Sequence, residues 1–297
     1  MELQAGDLVT RKSYQHDLLF RIKTIKQDVA ILYGEAMRLI ADAEISDLVK
    51  VNDRDLEHRR KAEQAKEEFS YRLFRQDYQL MKEKRNYKAT EGYQDISYFH
   101  LPAKVLHLDG DPSYLKKCIT LYRRLGLQVH GVHVHEKNMA SEIGPLIERI
   151  QPNIIVITGH DSYVQSKGEK GDLRAYRHSK DFQETVREAR RINPDLDQLV
   201  IFAGACQSHF ESLIRAGANY ASSPLRVNIH ALDPVYVAAK IAYTPFMEIV
   251  NVWEVLRNTL TGEKGMGGVE TKGLMRTGMP FIEETDHNRK PSSQRLI

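Results

Sequence analysis

The 297-residue sequence contains only two cysteines, Cys118 and Cys206, and a single tryptophan. So few cysteines exclude a framework of several disulfides, and neither belongs to the paired C-x-x-C pattern of a structural zinc site. The chain also lacks a run of about 18 or more apolar residues, so we expect no membrane span. The N-terminus, MELQAGDLVTRKSYQ, lacks the basic-then-apolar layout of a signal peptide. We therefore expect the protein to act in a reducing cytoplasm.

A large excess of charge of one sign is also missing. The chain carries 43 Lys and Arg against 40 Asp and Glu, a formal net charge of +3, and 41% of its residues are hydrophobic. These values are typical of an ordinary globular protein and fall well short of the strongly basic composition of a dedicated nucleic-acid-binding domain. We therefore expect no specific nucleic-acid partner, and no motif predicts a cofactor.

The pattern of apolar residues divides the chain into four parts. Residues 1–52 alternate apolar and polar residues between turns, which predicts short strands that close into a small SH3-like β-barrel. Residues 53–102 are predicted to form a charged helical arm followed by a loop linker that starts at residue 89. Residues 103–282 are predicted to form an α/β domain, and residues 283–297 a flexible tail.

The arm, residues 53–88, contains no Gly or Pro and is rich in helix-forming residues, so we predict one long helix. A thin apolar stripe at helical spacing consists of Ala62, Ala65, Phe69, Leu73 and Leu80. Charged residues cover the remaining faces. We interpret the helix as a solvated spacer, with polyanion binding as the alternative.

Strands and helices alternate in the α/β domain. Four apolar segments predict strands: KVLHL (104–108), LQVHGVHV (127–134), NIIVITG (153–159) and QLVIFAG (198–204). RVNIHAL (226–232) predicts a further strand, and the helical pattern that follows is expected to break at Pro245. We expect the Gly-rich segment 265–273 to form a mobile loop. The β-α order requires a mostly parallel, doubly wound sheet with right-handed crossovers.

Two reactive side chains follow the third and fourth strands. His160 ends the segment NIIVITGH, and Cys206 ends LVIFAGAC. The carboxyl ends of parallel strands meet at one edge of the sheet, where ligands bind, so adjacent strands would bring the imidazole and the sulfur together. A helix that begins directly after Cys206 would lower the pKa of the thiol. We therefore predict a cysteine nucleophile with His160 as general base and acid.

The turn that leads to Cys206 is narrow. Gly204 and Ala205 leave room for a substrate carbonyl, and exposed N–H groups near Cys206 could form an oxyanion hole. The alternative for Cys206 is a packed core cysteine, since free cysteine is among the most often buried residues. We interpret Cys118 in that way, because it lies on the apolar face of a predicted helix.

These motifs resemble those of the caspase-like cysteine peptidases. In that family a histidine lies about 50 residues before the cysteine, and A-C-Q is one allowed variant around the nucleophile. This chain matches with His160 and with the segment 205–207. The caspase-like enzymes usually carry glycine directly after the histidine, where its N–H helps to bind the oxyanion. Here Gly159 precedes the histidine and Asp161 follows it, which leaves the composition of the oxyanion hole open.

A longer set of motifs resembles the YabG sporulation-specific peptidases of spore-forming bacteria over nearly the whole chain. The motifs include GDLVTRKSYQHDLLFRI, KVLHLDGDPSYLKKC, VITGHDSY, LVIFAGACQSHFESLIRAGAN and SSPLRVNIHALDPVYVAAKI. The resemblance implies an endopeptidase that cuts spore coat and related spore proteins after basic residues, with Cys206 and His160 as the dyad. It also implies action in the mother-cell cytoplasm and at the forming spore coat. Basic residues of the tail are candidate sites of self-cleavage.

A preference for basic residues requires a carboxylate in the specificity pocket, because an unpaired Arg or Lys is costly to desolvate. The candidates near strand ends are Asp109, Asp111, Asp161 and Asp233. Asp111 and Asp233 each precede a proline, so a helix-capping role is the alternative for both. The sequence does not choose among the four.

Three other functions stay open. His133 and His135 project from one face of the second strand and, with His160, Asp161 and Asp109, could form a zinc or di-metal hydrolase centre. The segment LDGD after the first strand would suit a phosphate-handling enzyme, although no P-loop or G-x-G-x-x-G motif accompanies it. The third alternative is a non-enzymatic scaffold for coat assembly, with the barrel and the helix as adhesive parts.

Overall fold

A computed structural model describes residues 3–89 and 99–278 of the chain. The predicted tail, residues 283–297, and the end of the predicted α/β domain lie outside these ranges. No helix of the described residues is long and apolar enough to cross a membrane.

The N-terminal region is an antiparallel sheet of five strands. The strands are β1 (Leu8–Arg11), β2 (Phe20–Lys26), β3 (Val29–Gly34), β4 (Ile40–Glu44) and β5 (Leu48–Lys50). Their order across the sheet is β4-β3-β2-β1-β5. Alternate side chains, such as Phe20, Ile22 and Leu32, form a buried cluster. The predicted short strands are confirmed, whereas closure into an SH3-like barrel stays a prediction.

A single helix, α1 (Asp53–Ala89), follows the sheet. The helix is as predicted, but its predicted apolar stripe is wrong, since Phe69 and Leu80 are 67% and 56% exposed. Phe74 is buried instead, and Tyr78 packs beside it against the core of the α/β region. The helix is therefore packed along part of its length and is not a solvated spacer. Aromatic and polar residues complete its buried face, which a purely apolar pattern misses.

The remaining elements alternate between strand and helix. In chain order they are β6 (Phe99–Leu101), β7 (Val105–Asp109), α2 (Pro112–Leu125), β8 (Val129–His133), α3 (Met139–Ile150), β9 (Ile154–Thr158), α4 (Ser179–Ile192), β10 (Val200–Ala203), α5 (Phe210–Arg215), β11 (Tyr220–Ser222), α6 (Asp233–Tyr243), β12 (Ile249–Val250), α7 (Val252–Leu256), β13 (Met266–Gly268), β14 (Thr271–Lys272) and β15 (Arg276–Gly278). Two short antiparallel pairs, β6 with β15 and β12 with β14, lie outside the main sheet.

The main sheet has six strands in the order β13-β11-β10-β9-β7-β8. All neighbouring pairs are parallel except β13 with β11. Helices α1, α2, α6 and α7 contribute to the apolar cluster on one face, and α3, α4 and α5 to the cluster on the other. Strand β10 is apolar throughout and β9 is apolar up to Thr158, as expected for strands with both faces buried. The predicted mostly parallel sheet with helices on both faces is confirmed.

Several local predictions are wrong. RVNIHAL (226–232) is not a strand of the main sheet: Ile229 packs in the buried cluster of the N-terminal sheet, whereas Leu232 packs against the main sheet. The Gly-rich segment 265–273 is not a loop throughout, since it contains β13 and β14. A Cβ atom on Gly268 would lie 2.4 Å from a carbonyl oxygen of the loop before β11, so glycine permits the close pairing there. The predicted loop linker is not a loop throughout either, because β6 lies near its end. The predicted break at Pro245 is confirmed, since α6 ends at Tyr243.

Candidate active site

Two neighbouring strands bring His160 and Cys206 to one edge of the sheet. The register of β9 and β10 aligns Ile157 with Ala203, and each reactive residue follows its aligned residue by the same number of positions. Tyr114, in the first turn of α2, lies near both: its ring centroid is 5.2 Å from that of His160. Burial, above all, raises the pKa of Tyr114, and the negative charge of Asp111 raises it further. The predicted adjacency of the two strands is confirmed.

The imidazole of His160 is buried and held from both sides. Its backbone N–H donates to Glu136 Oε1 at 2.9 Å, and its Nδ1 lies 3.8 Å from the same oxygen. The ring centroid of Tyr33 is 3.9 Å from that of His160. On the other side, Nε2 lies 3.5 Å from Asp111 Oδ2 and has no hydrogen-bond partner among the described residues. Nε2 is therefore a buried ring nitrogen that faces the Asp111 carboxylate without a hydrogen bond.

Sequence reasoning missed Glu136. Its carboxylate fits between two strand ends because both carry glycine: a Cβ atom on Gly110 or Gly159 would lie 2.1 or 2.4 Å from Glu136 Oε1. Burial alone would raise its pKa, but the His160 side chain and N–H lower the pKa of Glu136 to about 2. Glu136 thus stays ionised and orients His160. The available signal was a glycine after each of two strands together with a lone carboxylate among the histidines of VHVHE.

The sulfur of Cys206 is fully buried. It accepts a hydrogen bond from the Ile229 N–H at 3.2 Å and packs in one cluster with Phe20 and Leu39 of the N-terminal region. Burial raises the pKa of the Cys206 thiol far above its ordinary value. The expected lowering of this pKa by a helix is wrong for this conformation, because α5 begins only at Phe210 and the residues between form a turn. The thiol is therefore protonated here.

The segment between β3 and β4 places Arg38 against the backbone of Cys206. Arg38 is fully buried, and its Nη1 donates to Asp109 Oδ2 at 2.9 Å. Its Nε and Nη2 both donate to the Ala231 carbonyl, at 3.1 and 2.8 Å. His107 Nε2 lies 3.3 Å from the same Asp109 oxygen. Burial opposes ionisation of the carboxyl, but Arg38 lowers the pKa of Asp109 to about 2. Asp109 therefore forms the charged end of a pocket that holds an arginine side chain.

The backbone carbonyl of Arg38 meets two N–H groups of the site. The oxygen accepts from the Cys206 N–H at 3.1 Å and from the Asp161 N–H at 3.4 Å. The N–H groups of Gly204 and Ala205 are already engaged, one with the neighbouring strand and the other with a serine hydroxyl of the same turn. These two residues shape the turn, where Gly204 has a φ of +109°. The amides of Cys206 and Asp161 form the carbonyl-binding pair.

The other three candidate aspartates have hydrogen-bond partners within their own surroundings. Asp161 is buried and accepts from four groups: Ser162 N–H, His178 N–H, Ser179 Oγ and Ser208 Oγ. Burial raises its pKa. Asp111 caps α2, as predicted, by accepting from the N–H groups of Ser113 and Tyr114. Asp233 accepts from the N–H groups of His230 and Leu260 and from the Thr261 hydroxyl. Only Asp109 faces an arginine.

The histidines proposed for a metal centre do not come together. His133 and His135 are exposed at the edge strand β8, whereas His160 is buried. Within residues 3–89 and 99–278, one group of three potential ligands lies close enough for a metal ion: His107, Asp109 and Cys118. Arg38 Nη2 lies 3.3 Å from the sulfur of that cysteine. A guanidinium packed against these atoms disfavours a second cation at the same place.

Comparison with known proteins identifies a family and one similar protein. The family model for the YabG peptidase U57 matches residues 4–280. The chain is 60% identical to the sporulation-specific protease YabG of Bacillus subtilis (strain 168) over 287 residues, which cover 95% of this chain and 99% of that protein. No solved structure matches the chain. The caspase-like and SH3-like descriptions therefore stay predictions.

Proposed function

The chain belongs to the YabG peptidase family, and from this premise we propose a cysteine endopeptidase that cuts on the carboxyl side of arginine or lysine. Cys206 is the nucleophile and His160 carries the proton. One observation supports the proposal above the others. Arg38 of the chain itself places its carbonyl against the Cys206 and Asp161 amides while its guanidinium contacts Asp109.

The two amides are suited to stabilise the developing oxyanion. A carbonyl that accepts from two fixed N–H groups is polarised, and the same hydrogen bonds strengthen when the oxygen becomes negative in the tetrahedral intermediate. One donor is the amide of Cys206 itself, so the sulfur lies on the residue that also anchors the carbonyl. In this proposal the amide of Asp161 takes the place of the glycine amide of the caspase-like pattern.

The proton path follows from the surroundings of His160. The thiol gives its proton to the imidazole as the sulfur attacks the carbonyl carbon, and the imidazolium then protonates the leaving amine. Glu136 on the Nδ1 side stabilises the imidazolium, and Nε2 is the free nitrogen. Water hydrolyses the resulting thioester and regenerates the thiol.

Specificity resides in Asp109. A buried carboxylate without a cation would be unfavourable, so the pocket favours a substrate that brings a positive charge. An arginine satisfies the carboxylate and the Ala231 carbonyl together, as Arg38 does. Lysine reaches the same carboxylate with a single ammonium group and makes fewer fixed hydrogen bonds. We expect arginine to be preferred over lysine and neutral residues to be poor substrates.

The family resemblance supports the proposed biological setting. We propose spore coat and related spore proteins as substrates, in the mother-cell cytoplasm and at the assembling coat. The relative from Bacillus subtilis is named as sporulation-specific, which supports the timing. A coat scaffold without activity would bind these proteins and leave them uncut.

The test is the digestion of a spore coat extract by the purified protein, followed by sequencing of all new N-termini. The proposal predicts cuts after Arg and Lys. Cys206→Ala and His160→Ala should lower the rate by a factor of about 10³ or more, because each removes a group that acts in the chemical step. A scaffold would produce no new termini.

The matched control for His160→Ala is a pair of exposed histidines, His133 at the end of β8 and His135 two residues after it. The His133→Ala/His135→Ala variant should cut the extract at the rate of the unaltered protein, with or without a chelator. Loss of activity with the chelator but not with Cys206→Ala would establish the metal-dependent alternative and overturn the proposal.

A further inference from the structure

Three side chains around the Arg38 guanidinium carry the donor atoms that zinc prefers. His107 and Asp109 come from β7 and Cys118 comes from α2, and all three are fully buried. Their ligand atoms, a ring nitrogen, a carboxylate oxygen and a sulfur, lie within 4.8 Å of one another. We call these three residues the donor triad. Imidazole, carboxylate and thiolate are the ligand types of protein zinc sites.

The spacing of the donors is close to that of a tetrahedral site. Nitrogen and oxygen ligands at about 2.0–2.1 Å from a zinc ion lie about 3.3–3.4 Å apart, and a sulfur ligand lies about 3.6 Å from an oxygen ligand. His107 Nε2 is 3.3 Å from Asp109 Oδ2. The Cys118 sulfur is 3.4 Å from the Ala231 carbonyl oxygen, which is near enough to be a fourth ligand. These groups therefore need little movement to hold the ion.

The second ring nitrogen of His107 has a partner of its own. Nδ1 lies 3.3 Å from the Tyr122 hydroxyl oxygen, so a proton on Nδ1 can be donated there, which leaves Nε2 with a free electron pair. Metal-binding histidines are almost always held in this way through the nitrogen that does not bind the metal. His107 therefore has the supporting hydrogen bond that a metal ligand requires.

A cation already lies among these donors. The Arg38 guanidinium is 2.9 Å from Asp109 Oδ2 through Nη1 and 3.3 Å from the Cys118 sulfur through Nη2. The charges balance with either cation: a guanidinium and a carboxylate sum to zero beside a neutral thiol, and a divalent ion sums to zero with a carboxylate and a thiolate. Both cations together would leave an uncompensated buried charge, so the two exclude each other.

We propose that the donor triad is a zinc site and that zinc and an arginine side chain occupy it by turns. When the guanidinium leaves, a sulfur–zinc bond forms as the S–H bond of Cys118 breaks, and the proton passes to water. The consequence for activity rests on the proposed function. Because the arginine of a substrate enters the same pocket, zinc inhibits the enzyme by competing with that arginine, and it takes no part in the chemical step.

Zinc binding is measured on the full chain in a Cys206→Ala background, which leaves Cys118 as the only thiol. Arg38→Ala in this background should bind one Zn²⁺ per chain in equilibrium dialysis. Its affinity should be at least about 10²-fold higher than that of the background protein, in which the site is available only to the fraction of molecules whose guanidinium has left. Co²⁺ in place of Zn²⁺ should give a sulfur-to-metal charge-transfer band, which Cys118 alone can supply.

Control variants separate the donor triad from other ligands. Adding Cys118→Ser to Arg38→Ala should remove the cobalt band and weaken Zn²⁺ binding at least about 10²-fold, since even a residue that only supports a metal ligand contributes about 10- to 100-fold. Adding His133→Ala/His135→Ala should change neither result. Arg21, an exposed arginine of the N-terminal sheet, gives the matched control, and Arg21→Ala should create no zinc site.

Inhibition is measured on the wild-type protein with an arginyl peptide, so this measurement does not depend on the folding of Arg38→Ala. Zn²⁺ should raise KM without changing kcat, and a chelator should restore the rate. Cys118→Ser should need at least about tenfold more Zn²⁺ for half-inhibition of its own rate. An ion bound by Cys206 and His160 would instead inhibit Cys118→Ser as strongly as the wild type.

Two results would overturn the inference: a folded Arg38→Ala chain that binds Zn²⁺ no better than its parent, or inhibition that is the same in Cys118→Ser. Both leave the proposed function standing. A chain that binds Zn²⁺ through Cys118 but does not hydrolyse the arginyl peptide would refute the proposed function and leave the zinc site standing.

Discussion

Asp109 and Asp161 are both fully buried and follow neighbouring strands of the parallel sheet, yet their surroundings differ. Asp161 is surrounded by hydroxyl and amide donors of nearby loops, and burial raises its pKa. Asp109 faces the guanidinium of Arg38, which comes from the segment between β3 and β4, and the pKa of Asp109 falls to about 2. Asp161 is hydrogen-bonded by neutral groups of the loops around it. Asp109 depends on the positive charge of Arg38, which we propose a substrate side chain replaces.

In our proposal, this difference separates a structural carboxylate, Asp161, from a substrate-binding one, Asp109. Fixed neutral donors around a buried carboxylate rigidify the loops that carry them. We propose that a carboxylate paired with a cation from a separate segment belongs to a pocket for a positively charged side chain, since such charge-assisted hydrogen bonds are strong and directional. Sequence alone treats the two aspartates as equal candidates, and the identity of the partner decides between them.

The largest expected effect is on kcat/KM and comes from removing the charge of Asp109. Asp109→Asn should lower kcat/KM for an arginyl peptide by a factor of about 10² to 10⁴, because removing one partner of a buried ion pair costs about 3–5 kcal/mol. A citrullinyl peptide, which has the same shape without the charge, should lose much less. The ratio of the two rates measures the effect. Asp161→Asn should leave that ratio unchanged, and a collapse of the ratio in Asp161→Asn would reverse the assignment.

The next effect concerns the free energy of unfolding. Asp161→Ala in the uncut Cys206→Ala background should lower it by about 3 kcal/mol, since four donors lose their acceptor. Urea unfolding measures the change. Asp111→Ala, which removes the cap of α2, should cost only about 1 kcal/mol in the same background. Equal losses in the two variants would mean that Asp161 is not a structural centre.

The two carboxylates should respond to acid with opposite signs. The pKa of Asp109 is lowered, so its contribution to stability is present above about pH 4 and is lost as the pH falls through about 2. The pKa of Asp161 is raised, so its burial cost is present above that pKa and is relieved as the pH falls through it. In Asp109→Asn, the decrease in the free energy of unfolding on acidification should be smaller by on the order of 2 kcal/mol. Unfolding of the uncut Cys206→Ala protein from pH 6 to 2 measures both, and slopes of the same sign would contradict the comparison.

The smallest effect concerns metal ions. If Asp109 binds a cationic side chain and catalysis uses no metal ion, then His133, at the end of β8, and His135, just after it, should contribute nothing to activity. His133→Ala/His135→Ala should keep the arginyl-peptide rate within about twofold, as surface substitutions usually do. A chelator should have equally little effect on that rate. A loss above tenfold in either measurement would restore the metal centre at this edge.

Much of the architecture could be predicted from local patterns. Apolar runs such as those of β9 and β10 indicate strands buried on both faces, and their order requires a parallel sheet. The same reasoning brings His160 and Cys206 to one edge, because consecutive parallel strands are usually neighbours. The position of Asp109 near a strand end likewise made it one of four candidates for the specificity pocket.

The partner of Asp109 could not be predicted. Arg38 lies in the segment between β3 and β4, far from Asp109 in sequence, and nothing in the neighbouring residues signals that its side chain enters the α/β region. The burial of Cys206 follows from the same docking, so reasoning about the local helix gave the wrong direction for its pKa. Glu136 was missed because its role depends on space left by two glycines from other strand ends.

The decisive measurement uses an arginyl chloromethyl ketone peptide on the wild-type protein after its intact mass has stopped changing. Nucleophile and pocket belong to one site if the reagent modifies Cys206 alone, stops hydrolysis of the arginyl peptide, and reacts at least about 10²-fold more slowly with Asp109→Asn. The citrullinyl reagent should leave Cys206 unmodified under the same conditions. Modification of another residue with activity lost, or equal reaction with both reagents, would contradict the pairing of Cys206 with Asp109.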